Sequence, residues 1–233
     1  MSKSSQPVIR GRSFIVFLGP VGVGKSTIIN NLVCILSATG VRVHKIFIKA
    51  FHGLSHVLWS FMVKVLGLPR DYAPWYIIPK CGYVSLARIL TIISAYLDVF
   101  INIPLKILII KILRSIGYIV ISEEYLYTAI FDYLHSYLAL DIKLKSYAKF
   151  PILALHSLAT KYRPDIVITL DSDVRELLCR WKWRGYGDPQ LGYVELQRVF
   201  LKKNYFNIDI LINTSNMRLK DSLLKVIKTI VKG

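Results

Sequence analysis

Acidic residues are scarce in this sequence. Fourteen aspartates and glutamates stand against 31 lysines and arginines, for a formal net charge of +17. Such an imbalance favours anionic partners: nucleotide phosphates, nucleic acid or an anionic membrane surface. Long uncharged runs are missing too. The longest, Ser26 to Val41 and Ala50 to Val63, are shorter than the roughly 18 residues that a membrane-crossing helix needs. Residues Leu86 to Ile121 are strongly apolar, but Arg88, Asp98, Lys106, Lys111 and Arg114 interrupt them. With 54% hydrophobic residues and a mean hydropathy of +0.46, the expectation is buried or interface helices rather than a span.

Cysteine is sparse as well. Cys34, Cys81 and Cys179 are odd in number and far apart in sequence, which argues against a disulfide framework and predicts reduced core thiols. The N-terminal MSKSSQPVIRGR has no apolar core of the signal-peptide kind, so a cytoplasmic protein is expected. Internal repeats, low-complexity tracts and linkers are absent. At 233 residues, one domain spanning 1–233 is expected.

What is present alternates between strand and helix. Apolar, β-rich runs predict strands at Arg12–Leu18, Val41–Lys49, Tyr118–Ser122, Asp165–Leu170 and Asp209–Asn213. Helical patterns fill Lys25–Ala38, Leu54–Leu66, Ser85–Ile101, a segment from about Pro104 to Ser115, and Glu124–Leu140. Pro74, Pro79 and Gly82 make Asp71–Gly82 a predicted loop, and Ser215 or Asn216 is the expected cap of a last helix running to Val231. Strands alternating with helices predict an α/β fold of the P-loop NTPase kind: a five-stranded parallel sheet with helices on both faces.

Between the first strand and the first helix stands GPVGVGKST, which matches G-x-x-x-x-G-K-[ST] through Gly19, Gly24, Lys25 and Ser26. Backbone N–H groups of Gly19, Pro20, Val21, Gly22, Val23, Gly24, Lys25, Ser26 and Thr27 (proline excepted) would curl around phosphate oxygens. Lys25 would reach the outer phosphates, and the Ser26 hydroxyl would bind Mg²⁺. The helix N-terminus behind the loop adds its partial positive charge.

Three further stretches resemble thymidylate kinases and their nucleoside-phosphate kinase relatives. In RPDIVITLDSDVRELLCRWKWRG, Pro164 and Asp165 precede a strand that Leu170 and Asp171 end, and Arg180 and Arg184 follow at the family's lid positions. YIVISEEYLYTAIFDYL looks like the family's strand ending in Asp-Arg-Tyr with its following helix. DILINTSNMRLKDSLLKVI resembles the closing strand and helix. The resemblance is weakest from Phe51 to Ser115. It implies an ATP- and Mg²⁺-dependent phosphotransferase acting on a nucleoside monophosphate such as dTMP, or on a related small acceptor. An arginine-bearing lid would lie at about 173–188, and a homodimer would form through helices. Lys25, Glu123, Arg180 and Arg184 are the expected catalytic residues, Ser26 and Glu123 the metal-side residues, and Glu124 and Tyr125 the acceptor-side residues. Arg180 and Arg184, at i and i+4, would face the same way, and their guanidinium forks suit phosphate oxygens. GYGDP, after Arg184, reads as a hinge whose glycines permit motion and whose Pro189 can begin the next helix.

The sequence also departs from that family. Glu123-Glu124 replaces Asp-Arg, and in thymidylate kinases that arginine is expected to grip the acceptor's phosphate. A carboxylate there would repel a monophosphate unless Lys49, Lys80 or Arg88 compensates. Deoxynucleoside kinases place a glutamate after the same strand as base on an acceptor hydroxyl, a position Glu123 matches. Thr128 and Arg175 also stand where the family often carries acids. A nucleotide-binding regulatory protein, or a membrane- or nucleic-acid-associated P-loop protein, without kinase turnover is the alternative. Nucleic acid is not the expected partner, and peripheral membrane contact stays open. His52 and His56 have the i, i+4 spacing of helical metal ligands but no evident third ligand, so they are read as helix-start or pocket-lining residues.

Overall fold

In a computed structural model, residues 12–183, 191–202, 208–215 and 217–232 are described. The elements run β1 (Phe14–Leu18), α1 (Lys25–Ala38), β2 (Val43–Phe47), α2 (Leu54–Val65), α3 (Pro74–Lys80) and α4 (Val84–Leu97). A π-helical turn (Asp98–Asn102) leads into α5 (Ile103–Ser115), β3 (Ile119–Glu123), α6 (Leu126–Ala139), α7 (Ser146–Lys161) and β4 (Ile166–Asp171). Then come α8 (Val174–Trp183), α9 (Leu191–Lys202), β5 (Ile210–Asn213) and α10 (Leu219–Lys232).

The five strands form one parallel sheet in the order β2-β3-β1-β4-β5. Alternation along β1 builds two cores. Phe14, Val16 and Leu18 face a layer that includes Trp59, Ile78, Leu90, Ile103, Tyr133 and Leu155. Ile15 and Phe17 face the other layer, with Ile29, Leu32, Leu177, Val194 and Val226. Both faces are therefore covered, as the run of apolar strands requires. β1 lies between β3 and β4, so the loop after β1 opens where the chain changes direction across the sheet. Ligands of open α/β sheets bind at such a point.

Several expectations need correcting. The segment expected as a loop contains α3. Pro74 lies in its first turn, where a missing N–H costs little, while Pro79 lies inside the helix next to its last residue and removes the N–H that would meet the Trp75 carbonyl. α7 carries no expected counterpart, and it contains Pro151. Proline at 151 leaves the Tyr147 carbonyl without its helical donor, and the Tyr96 hydroxyl fills that place at 2.9 Å. The three cysteines are free but exposed, so they are not core thiols. The last helix starts at Leu219, and Ser215 serves a different end: its Oγ accepts from the Asp173 N–H at 2.8 Å, just ahead of α8. Asn216, Arg184 and the hinge 185–189 lie outside the described residues.

The apolar middle is one continuous helical rod, Val84–Ser115, of 32 residues. By length and composition it could cross a membrane, yet 39% of its most apolar window is buried. Asp98, one of the charges that interrupt the run, ties the rod to its neighbours. It accepts from Phe51 N (3.1 Å), Ser55 Oγ (2.8 Å), Tyr133 OH (2.5 Å) and Asn102 Nδ2 (2.6 Å). Burial pushes its pKa up, and those four donors offset that only in part.

Candidate active site

The phosphate loop fits closely between strand ends. Gly19 has φ 149°, and a Cβ there would stand 2.5 Å from the Leu170 carbonyl oxygen. Only glycine allows that approach. The loop delivers Lys25 to a buried place, where Nζ donates to Gly19 O (2.7 Å) and Pro20 O (3.1 Å). The same ammonium pairs with Glu124 Oε1 at 2.8 Å, with Lys25 6% and Glu124 3% exposed.

Glu123 is the last residue of β3, in register with Phe17 at the end of β1. That register sets its carboxylate against the loop, where Oε1 accepts from Ser26 Oγ at 2.6 Å. Lys45 Nζ, from β2, stands 3.6 Å from Oε2. One residue on, the backbone turns left-handed: Glu124 has φ 71°, a conformation that costs a non-glycine residue about 1 kcal/mol or more. The turn separates the two acids. Glu123 meets Ser26, while Glu124 is carried to Lys25.

Tyr125 corrects an expectation. It caps α6 instead of lining an acceptor site: its ring is fully buried, packs edge-on to Phe14, and its hydroxyl donates to Tyr162 O. Thr128, in the place of an acid, donates to Tyr125 O at 2.7 Å and accepts from Tyr125 N at 3.2 Å. Of the three cations considered as phosphate partners, Lys80 lies over the Tyr72 and Tyr76 rings. Arg88 donates to Leu140 O. Lys49 is the one whose charge acts on a buried acid of the site, Asp132.

Sequence reasoning expected a helix after the lid but missed Asp132 and the α9 residues that meet it. Asp132, on α6, is driven up to about 6 by burial, against the pull of Lys49 and of a hydrogen bond from Tyr193. Tyr193 OH donates to Asp132 Oδ1 at 2.6 Å. One turn further along α9, Gln197 Oε1 accepts from the Val21 N–H of the phosphate loop at 3.2 Å. Arg198 then grips Asp171 at 2.7 and 3.1 Å, joined by Lys202 at 2.6 Å. Burial alone would raise Asp171, but these two cations outweigh it and hold its carboxyl below the usual range. The i, i+4, i+5 spacing of Tyr193, Gln197 and Arg198 was the available signal, but it has no meaning until β4 and α6 are placed beside α9.

Arg180 lies on α8 above the loop, pairing with Glu176 at 2.8 Å and approaching the Gly22 and Val23 carbonyls at 3.4 and 3.3 Å. It lines a cleft of about 360 Å³ with Gly24, Thr27, Trp183, Thr214 and Met217. The cleft continues from the phosphate loop, since Gly22, Val23 and Gly24 belong to its lining. His52 and His56 sit among Phe47 and Trp75, and His52 Nδ1 lies 2.7 Å from Ala50 O. Burial lowers the His52 pKa. No group of three or more potential metal ligands of the His, Cys, Asp and Glu kind occurs among the described residues.

No protein-family model matches the sequence, and no curated protein matches it. Among solved structures, a thymidylate kinase from Candida albicans, described as having broad substrate specificity, aligns with a TM-score of 0.58. The alignment covers 96% of this chain and 92% of that one at 18% identity. The class is a P-loop α/β protein with a five-stranded parallel sheet. Within that class, the fold is thymidylate-kinase-like, as the sequence resemblance implied.

Proposed function

We propose that the protein is an ATP-dependent phosphotransferase, moving the γ-phosphoryl group of ATP to a small-molecule acceptor. The observation that carries this reading is the 2.6 Å contact between Ser26 Oγ and Glu123 Oε1 at the mouth of the phosphate loop. Phosphoryl transfer needs positioning and charge neutralisation more than covalent chemistry by the protein. A hydroxyl and a carboxylate beside a phosphate cradle are hard oxygen groups of the kind that Mg²⁺ takes along with substrate phosphates. Bound there with ATP, Mg²⁺ would neutralise charge on the transferring group.

The chain's own residues supply the rest. Backbone N–H groups of the loop hold the donor phosphates, and Lys25 moves from its carbonyl partners to the outer phosphates. Arg180 closes the base end, and Arg184 is proposed as the second lid cation. The bond from the γ-phosphorus to its bridging oxygen breaks, ADP leaves, and a bond forms to the acceptor oxygen. With a hydroxyl acceptor, the displaced proton passes to Glu123.

For the acceptor, the thymidylate-kinase-like fold suggests a nucleoside monophosphate. One observation favours a hydroxyl- or amino-bearing compound instead. Glu124 Oε2 and Asp132 Oδ2 are both buried without a hydrogen-bond partner, and Glu124 pushes the Asp132 pKa upward. Buried acceptors of that kind call for donors on the ligand, while a phosphate dianion would meet like charge.

The test is ADP release from ATP and Mg²⁺ against nucleoside monophosphates, nucleosides, and sugar or prenyl alcohols, with Lys25→Ala as control. Stimulation by one class, lost in the control, supports a kinase and identifies its acceptor. Bound ATP with no stimulation by any compound would favour the regulatory reading.

A further inference from the structure

Away from the phosphate loop, the helical rod and α7 share an apolar face. Tyr96, Phe100 and Phe150 stack in a trio with centroids 6.0 to 6.1 Å apart and planes within 20°. Phe100 is 60% exposed and Phe150 48%. Ile89 and Ile93 extend the face at helical spacing toward the start of α4, and Leu153 extends it along α7; all three are exposed. Beyond the π turn, Leu105, Leu108 and Ile112 repeat the pattern on α5, each more than half exposed. Contiguous apolar surface of this kind marks a contact site.

Charge identifies the contact. Lys143, Lys145 and Lys149 are exposed at and before the start of α7, beside Phe150. Of the acids between Val84 and Tyr162, a span described throughout, only Asp141 is exposed. It already faces Arg88 at 3.8 Å. A second copy of this +17 chain would bring lysines to this face without acids to meet them. The rod itself is tied into the core through Ser94, Asp98 and Asn102, so its apolar side is presented laterally.

We propose that the face formed by α4, the π turn, α5 and α7 docks on an anionic lipid surface. Aromatic and aliphatic side chains enter the interface while lysines meet the headgroups, as in interfacial helices generally. The proposal does not depend on phosphotransfer.

Flotation of the full chain with vesicles tests it. The protein should float with equimolar phosphatidylcholine and phosphatidylglycerol, and at least about tenfold less with phosphatidylcholine alone or at high salt. Two variants, Lys143→Glu/Lys145→Glu/Lys149→Glu and Phe100→Ser/Phe150→Ser, should each lower partitioning by about tenfold or more. Both should retain ATP binding, which checks folding. Flotation indifferent to both variants would overturn the proposal. So would a wild-type dimer in sedimentation velocity that Phe100→Ser/Phe150→Ser dissociates, because the face would then belong to a second copy. Salt-sensitive binding to a DNA duplex, with no flotation, would assign the lysines to nucleic acid and overturn it equally.

Discussion

Lys25 and Glu124 form a 2.8 Å ion pair in which neither side chain is more than 6% exposed. The phosphate-loop lysine is thus held by an acid at the position where the sequence resemblance implies an arginine. A buried pair is costly to break from one side, because the survivor stays desolvated. Lys25→Met should therefore destabilise the fold by about 3 kcal/mol. Glu124→Gln should cost less, since Lys25 keeps the Gly19 and Pro20 carbonyls. Urea unfolding of both singles and the double variant should give a coupling of about 1 kcal/mol or more. Strict additivity would show that the pair carries no interaction energy.

The Ser26–Glu123 contact makes a different prediction, one about rate. Glu123→Gln keeps an oxygen for Ser26 but removes the charge. Turnover should fall roughly 10²- to 10⁴-fold, the Mg²⁺ concentration for half activity should rise, and the melting temperature should barely change. Steady-state kinetics against Mg²⁺ decide it, and unaltered turnover would remove Glu123 from the reaction.

Asp132 links stability to pH. Its carboxyl is raised from 3.8 to about 6, chiefly by burial, so the folded protein holds this proton more tightly than the unfolded chain. Stability from this group is full below pH 4 and is lost as the pH rises through 6. Two pKa units correspond to about 3 kcal/mol at most. Asp132→Asn can still accept from Tyr193, so it should melt higher than wild type at pH 7.5 and match it at pH 4. A variant less stable at pH 7.5 would contradict this account of the buried charge.

Two loop glycines separate packing from backbone strain. At Gly19 a Cβ meets the Leu170 carbonyl at 2.5 Å, while at Gly24, with φ 100°, it meets nothing within 4 Å. Gly24→Ala should cost about 1–2 kcal/mol of backbone strain, and Gly19→Ala clearly more, with loss of ATP binding. Calorimetry on both would show whether the Leu170 contact matters.

Arg180 should discriminate base from phosphate. Arg180→Ala is expected to weaken ATP about tenfold, or about 1.4 kcal/mol, and inorganic tripolyphosphate far less. Equal losses would place Arg180 at the phosphates, as its lid spacing alone suggested.

The sequence by itself was enough for the phosphate loop, the boundaries of α1, the five parallel strands and the thymidylate-kinase-like fold. These signals are local: glycines at the places a phosphate cradle needs them, and apolar runs with one periodicity. Tertiary structure decided what depends on distant partners. Opposite Pro151 in α7, Tyr96, far away in sequence, supplies the donor that the proline ring removes. Tyr125 faces the core because the turn at Glu124 and the capping of α6 aim it there. Glu124 is bound to Lys25, and Asp132 to Tyr193, only because β3, α6 and α9 converge on one loop. Side-chain chemistry is written along the chain, but what each side chain faces is settled by the packing of elements that the chain separates.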